Sequence, residues 1–261
     1  MSPLSLLAIT ILFLTLPWLL GPGEGRGRGE IRGPMLVLWW INRLYCSIWH
    51  HLESSETTAV PASGAALLVS NHTCGIDHML LQAMTRRALG FLIAQEFYDW
   101  WFARPFCRII GCIPVKRDGR DLSATRAAIR ALKEGRVVPI FPEGRITPTS
   151  GRVIGEAKPG VAFIALRTGF PVIPAYIRGT PETNDIFRSI RTPSEARVVF
   201  GPPVDLSDLD LRDDDREALD VATRRIMRAI RSLRDHSLGI EPGDEPEPSA
   251  AAEPPALTAS A

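Results

Sequence analysis

From residue 65 onward the chain alternates short aliphatic runs with stretches of helical spacing, and this alternation restricts its architecture more than any other feature. The runs are AALLVS (65–70), IIGCIPV (109–115), RVVPIF (136–141), VIPAYI (172–177) and RVVF (197–200). Each is bounded by Gly, Pro or polar residues and is short enough to be a strand. Helical spacing appears at about 77–88, 121–134 and 159–169. From Asp214 to His236, Leu219, Ile226, Ile230 and Leu233 recur close to the 3.6-residue period of a surface helix. Strand and helix in turn predict an α/β fold, a mostly parallel sheet flanked by helices. With 261 residues, 45% of them apolar, the chain can bury one such core, and residues 53–237 are assigned to it.

The N-terminal part has a different character. Leu4 to Leu20 is a run of 17 uncharged, mostly apolar residues. As a helix it reaches roughly 26 Å, slightly short of a hydrocarbon core of about 30 Å. No Lys or Arg precedes it, and GPGEGRGRGEIRG follows in place of a small-residue cleavage site, which favours a retained anchor over a signal peptide. Arg26, Arg28 and Arg32 then place the downstream side in the cytoplasm. A second apolar segment, Met35 to Leu52, carries Trp39, Trp40, Tyr45 and Trp49, and predicts an interfacial helix. Residues 1–52 are therefore read as a membrane anchor. After Leu238 the Pro-, Glu- and Ala-rich sequence lacks a periodic apolar face, so 238–261 is read as a disordered tail.

Net charge is only +1, which conceals a strong asymmetry. Residues 101–180 hold 14 Lys or Arg against 5 Asp or Glu, and residues 201–261 hold 7 against 14. The basic middle would attract phosphates or an anionic membrane surface. Cys46, Cys74, Cys107 and Cys112 form no C-x-x-C pair and are expected to be free thiols. His72, Cys74 and His78 fall short of a four-ligand structural zinc site, so no metal is assigned.

Three constellations carry potential chemistry. In NHTCGIDH (71–78), just past the first run, an imidazole in the loop can be held by a carboxylate that opens the next helix. His72 and Asp77 would then form a base and its orienting acid. The same spacing also suits an Asp77 that merely caps a helix beside an incidental histidine. In GCIPVKR (111–117) a strand delivers Lys116 and Arg117 to its exit, a pair suited to a phosphate monoester or to simple solvation. In FPEGR (141–145), Gly144 permits close backbone approach, Glu143 can accept from hydroxyls and Arg145 can bind phosphate; a turn with a local salt bridge needs the same residues. Lys158 adds a positive charge before a further helix start.

Taken together, NHTCGID, GCIPVKR, FPEGR and VIPA, in this order and spacing over residues 65–200, resemble the four blocks of the glycerolipid acyltransferase family that includes 1-acylglycerol-3-phosphate acyltransferase. The resemblance implies that His72 is the catalytic base and Asp77 the acid that orients it. It implies acceptor-phosphate binding by Gly111, Lys116 and Arg117, and glycerol-phosphate binding by Glu143, Gly144 and Arg145. Val172, Ile173 and Pro174 match the last block, for which apolar packing is the preferred reading. Two departures stand out: Cys74 replaces a common Ser, and Arg145 lies one position earlier than the usual arginine.

The activity so implied is transfer of a fatty acyl group from acyl-CoA or acyl carrier protein to the free hydroxyl of a lysophospholipid at a membrane. Neither a cofactor nor a nucleic-acid partner is implied. Acylation of a lyso-aminolipid, or lipid binding without catalysis, are the alternatives.

Overall fold

The computed structural model describes residues 30–32, 34–54, 59–101, 104, 107–108, 111–115, 122–147, 149–209 and 216–240. The apolar run Leu4 to Leu20, the tail from 241 onward, and the pair Lys116 and Arg117 lie outside the described residues. Among the described residues, no helix is long and apolar enough to cross a membrane.

Five strands form the main sheet. In chain order these are β1 (Glu53–Ser54), β2 (Ala66–Ser70), β5 (Val137–Ile140), β6 (Val172–Arg178) and β7 (Arg197–Phe200), arranged β1-β7-β6-β2-β5. Only the β6–β7 pair is antiparallel. A parallel pair, β3 (Leu92–Ala94) and β4 (Ile113–Val115), adjoins the β5 edge through a bridge from Leu89 to Val137. The expected mostly parallel sheet flanked by helices is thus found.

Alternation along the strands divides the core in two. Ala66 and Leu68 of β2 face one layer, with Ile173, Ala175 and Ile177 of β6; Leu67 and Val69 face the other, with Val172 and Tyr176. The first layer is covered by helices α1 (Pro34–Trp49) and α2 (Asp77–Ala83). The second is covered by α4 (Leu122–Lys133), α5 (Gly160–Thr168) and α7 (Arg216–Leu238). Also among the described residues are two short helices, α3 (Gln95–Tyr98) and α6 (Ile186–Arg191). β2 is buried at every position because it is central and covered on both faces, which explains its unbroken aliphatic sequence.

The sequence-based helix over 77–88 ends early, at Ala83. Tertiary hydrogen bonds replace its last turn. Gln82 donates through Nε2 to the carbonyls of Thr85 and Arg87 and accepts from the Leu89 amide. The buried Arg87 guanidinium donates to the carbonyls of Pro61, Gly64 and Gly135. From α1, Trp39 Nε1 donates to the carbonyls of Gln82 and Thr85, Asn42 to Met79 and Arg43 to Ala83. Carbonyls that a truncated helix would leave unsatisfied are capped by its neighbour.

The segment Met35 to Leu52, expected to be an interfacial helix, is helical over Pro34–Trp49, but its aromatics divide between two sides. Trp39 is buried against α2, and Tyr45 Oη donates to the carbonyl of Ile190, so neither faces outward as expected. Val37, Trp40, Ile41, Leu44 and Ile48 form the exposed side. Helical spacing explains the division: Trp39, Asn42, Arg43 and Cys46 share the inner stripe.

Candidate active site

β2 and β5 are hydrogen-bonded parallel neighbours, with Val69 opposite Ile140, so the loops that leave their C-terminal ends run side by side. The first carries His72 and the second carries Phe141 and Glu143. The rings of His72 and Phe141 stack with centroids 4.1 Å apart and planes 9° from parallel. Asn71 sets the start of the first loop. Its side chain accepts from the Ile177 amide at 2.8 Å and donates to the Ile177 carbonyl at 2.9 Å, which extends the β2–β6 pairing by one residue.

Asp77 opens α2 and is fully buried, where an unpartnered carboxylate would be costly. Oδ2 accepts from His72 Nδ1 at 2.7 Å, the Thr73 amide at 2.5 Å and the Cys74 amide at 3.1 Å. Oδ1 accepts from the Thr73 hydroxyl and, at 3.7 Å, from the Cys74 thiol. Thr180 Oγ1 donates to Thr73 Oγ1 at 2.8 Å, so Thr73 can pass its own proton toward Asp77. A carboxylate acceptor at Nδ1 assigns the neutral imidazole proton to that nitrogen and leaves Nε2 as an acceptor. The His72 side chain is 17% exposed, so it is held by the protein yet open to a ligand.

Glu143 is buried. Its Oε1 accepts the His72 amide at 2.9 Å, and the Gly155 amide also donates to its carboxylate. Burial raises its pKa above the usual carboxylate range, and these two amides oppose that shift. A Cβ on Gly155 would lie 2.8 Å from Oε2, so glycine is needed for this approach. The carboxylate therefore points into the protein and joins the His72 loop to the segment around Gly155, whereas the sequence motif suggests a group facing a substrate hydroxyl.

Gly144 has φ of +70°, and Lys158 lies over it: a Cβ there would be 3.0 Å from both Cε and Nζ of the lysine. The Lys158 amide donates to the Pro142 carbonyl at 2.9 Å, which fixes this crossing. Arg145 follows on the exposed side of the same turn. The cations of this loop are thus Arg145 and Lys158, the latter more closely tied to the site than its sequence position indicates.

Gly111 is not brought to these residues. It precedes β4, at the N-terminal end of the parallel strands and away from the loops at their C-terminal ends, and its carbonyl accepts from the buried Arg136 just before β5. Its φ of +80° and the Arg136 guanidinium against it account for a glycine on structural grounds. Val172 and Ile173 pack into opposite cores, in keeping with apolar packing.

Cys74 and His78, which flank Asp77 in the sequence, are held neutral. Burial pushes the Cys74 thiol up to about 12, with Asp77 adding to the shift. Burial pushes His78 down to about 4, against the opposing pull of Asp77. Among the described residues, no three His, Cys, Asp or Glu side chains are grouped to hold a metal ion, and the four cysteines are free. Asn71, Thr73, Phe141, Gly155 and Thr180 support the site without having been singled out in the sequence. Only strand adjacency brings their distant segments together.

The acyltransferase family model matches residues 51–178, which includes both loops. Over 177 residues the chain is 24% identical to 1-acyl-sn-glycerol-3-phosphate acyltransferase of Bacillus subtilis, covering 67% of this chain and 84% of that one. Over 185 residues it is 28% identical to lyso-ornithine lipid O-acyltransferase of Rhodobacter capsulatus, covering 63% and 66%. The crystal structure of the 1-acyl-sn-glycerophosphate acyltransferase of Thermotoga maritima superposes with a TM-score of 0.66 at 20% identity, covering 87% of this chain and 92% of that one. That likeness shows a common fold.

Proposed function

We propose that this chain, whose residues 51–178 match the acyltransferase family model, is an O-acyltransferase that acylates the free hydroxyl of a lysophospholipid, 1-acylglycerol-3-phosphate, to give phosphatidic acid. The observation that carries this reading is the His72–Asp77 pair, with Nδ1 held at 2.7 Å by a buried carboxylate and Nε2 left as the base. His72 Nε2 takes the hydroxyl proton as the acceptor oxygen attacks the thioester carbonyl of acyl-CoA or acyl carrier protein. Asp77 stabilises the imidazolium that forms. When the tetrahedral intermediate collapses, the C–S bond breaks, and the imidazolium returns its proton to the departing thiolate.

Arg145 and Lys158 supply the positive charge for an acceptor phosphate, and Lys116 and Arg117 are assigned the same role from their sequence motif. Glu143 is a positioning residue: by holding the His72 amide, it sets where the imidazole stands. The exposed face of α1 rests in the lipid surface, and with the apolar run at 4–20 it holds the domain at 53–237 on the cytoplasmic side, where a lipid acceptor and a water-borne donor meet.

A lyso-ornithine acceptor is the second reading, favoured by the likeness to the Rhodobacter enzyme and by the shifted Arg145. Purified protein offered acyl-CoA and, in parallel, acyl carrier protein as donor to a panel of lysolipids, with products read by mass spectrometry, separates the readings. Phosphatidic acid as the main product supports the first, and an acylated ornithine lipid the second. Acceptor binding with no product would mean a lipid-binding protein and overturn both.

A further inference from the structure

We infer that the aromatic face formed by α6 and the segment after α3 is a second contact with an anionic phospholipid leaflet, beside the catalytic loop and separate from α1. The inference rests on the lipid-acceptor reading above. Helix α6 turns Ile186, Ser189 and Ile190 inward and Phe187, Arg188 and Arg191 outward. Its backbone is seated directly on the loop of the base: a Cβ on Gly75, three residues after His72, would lie 2.9 Å from Ile186 Cα. Phe187, 53% exposed, stacks on Trp100 with centroids 6.1 Å apart, and the adjacent Trp101 is 76% exposed. An exposed aromatic group rimmed by guanidinium groups has the chemistry of the lipid–water boundary. Indole and phenyl rings settle among the upper acyl chains, while arginines meet lipid phosphates.

Continuity with α1 favours a lipid surface over a soluble partner. Tyr45 Oη donates to the Ile190 carbonyl at 2.7 Å, and the Ser194 amide to the Trp49 carbonyl at 3.4 Å, so α1 and α6 are fastened to each other. Through Ile190, α6 packs against the core layer that α1 covers, so the proposed contact adjoins α1. A small acidic carrier protein would match the arginines alone.

The test compares wild type, Trp101→Ala and Trp101→Ala/Phe187→Ala in the full chain. Co-sedimentation with phosphatidylglycerol–phosphatidylethanolamine vesicles reports the contact. Turnover of a short-chain lysolipid acceptor, kept monomeric in solution, reports the chemistry and the folded state. The double variant is expected to lose about tenfold in vesicle partition, and the single variant part of that. Both should keep wild-type turnover of the monomeric acceptor. Unchanged partition in both variants overturns the inference. So does a raised KM for acyl carrier protein, or a change in oligomeric state, at unchanged partition. Absence of turnover in the wild type would instead count against the proposed reaction, while the sedimentation result would still decide the contact.

Discussion

Nδ1 of His72 stands 2.7 Å from Oδ2 of Asp77, although the two residues lie on different elements, one in the loop after β2 and the other at the start of α2. The carboxylate holds this position because the Thr73 and Cys74 amides and the Thr73 hydroxyl also converge on it. Asp77→Asn replaces one acceptor oxygen with a donor and can present the wrong group to Nδ1. By analogy with the Asp-to-Asn change in serine-protease triads, kcat should fall by about 10⁴ with little change in acceptor KM. Steady-state kinetics, with circular dichroism to verify folding, checks this.

Glu143 offers a separate test of positioning. Glu143→Gln keeps an oxygen for the His72 amide but sets an NH₂ group toward the Gly155 amide; Glu143→Ala removes both acceptors. We expect Gln to retain about a tenth of wild-type kcat, and Ala to lose a further tenfold or more, since a buried amide without an acceptor costs about 1–3 kcal/mol. Acceptor KM should change little in either variant. A KM rise of the same size as the kcat loss would return Glu143 to direct substrate binding.

The strands were legible because central strands buried on both faces need continuous aliphatic sequence, as in Leu67, Leu68 and Val69. The dyad was legible as two residue types at a family-like spacing, yet the spacing alone left Asp77 equally suited to capping a helix. Contacts between distant segments carried no local signal. Phe141 stacks on His72 and Thr180 reaches Thr73 only because β5 and β6 flank β2. Gly111 and Glu143 show the converse limit. Both sit in motifs that suggest ligand binding, but one accommodates a buried arginine and the other ties two loops together. Residue type reveals what a group can do, whereas its direction depends on the packing around it.

Two histidines set the acid side of the stability profile. Burial lowers the pKa of His50, aided by neighbouring His51, and takes His78 down to about 4. Both groups thus bind protons more readily in the unfolded chain, where the reference value is about 6.5. Their contribution is fully present above that value and is lost as pH falls from about 6.5 toward about 4. His50 is wholly buried between the Ser194 and Tyr45 hydroxyls, at 2.8 and 2.9 Å. Thermal unfolding should show a lower Tm at pH 5 than at pH 7.5, and His78→Gln should reduce the difference. A flat profile over this interval in the wild type would contradict the assignment.

The central claim, that His72 is the base of an acyl transfer, is tested most directly by His72→Ala in the purified full-length protein. Product formation from acyl-CoA and 1-acylglycerol-3-phosphate would be measured by mass spectrometry, alongside Tm and vesicle co-sedimentation. The account predicts a loss of about 10³ or more in turnover, with Tm and membrane partition close to wild type. Turnover above about a tenth of wild type in the folded variant would contradict it.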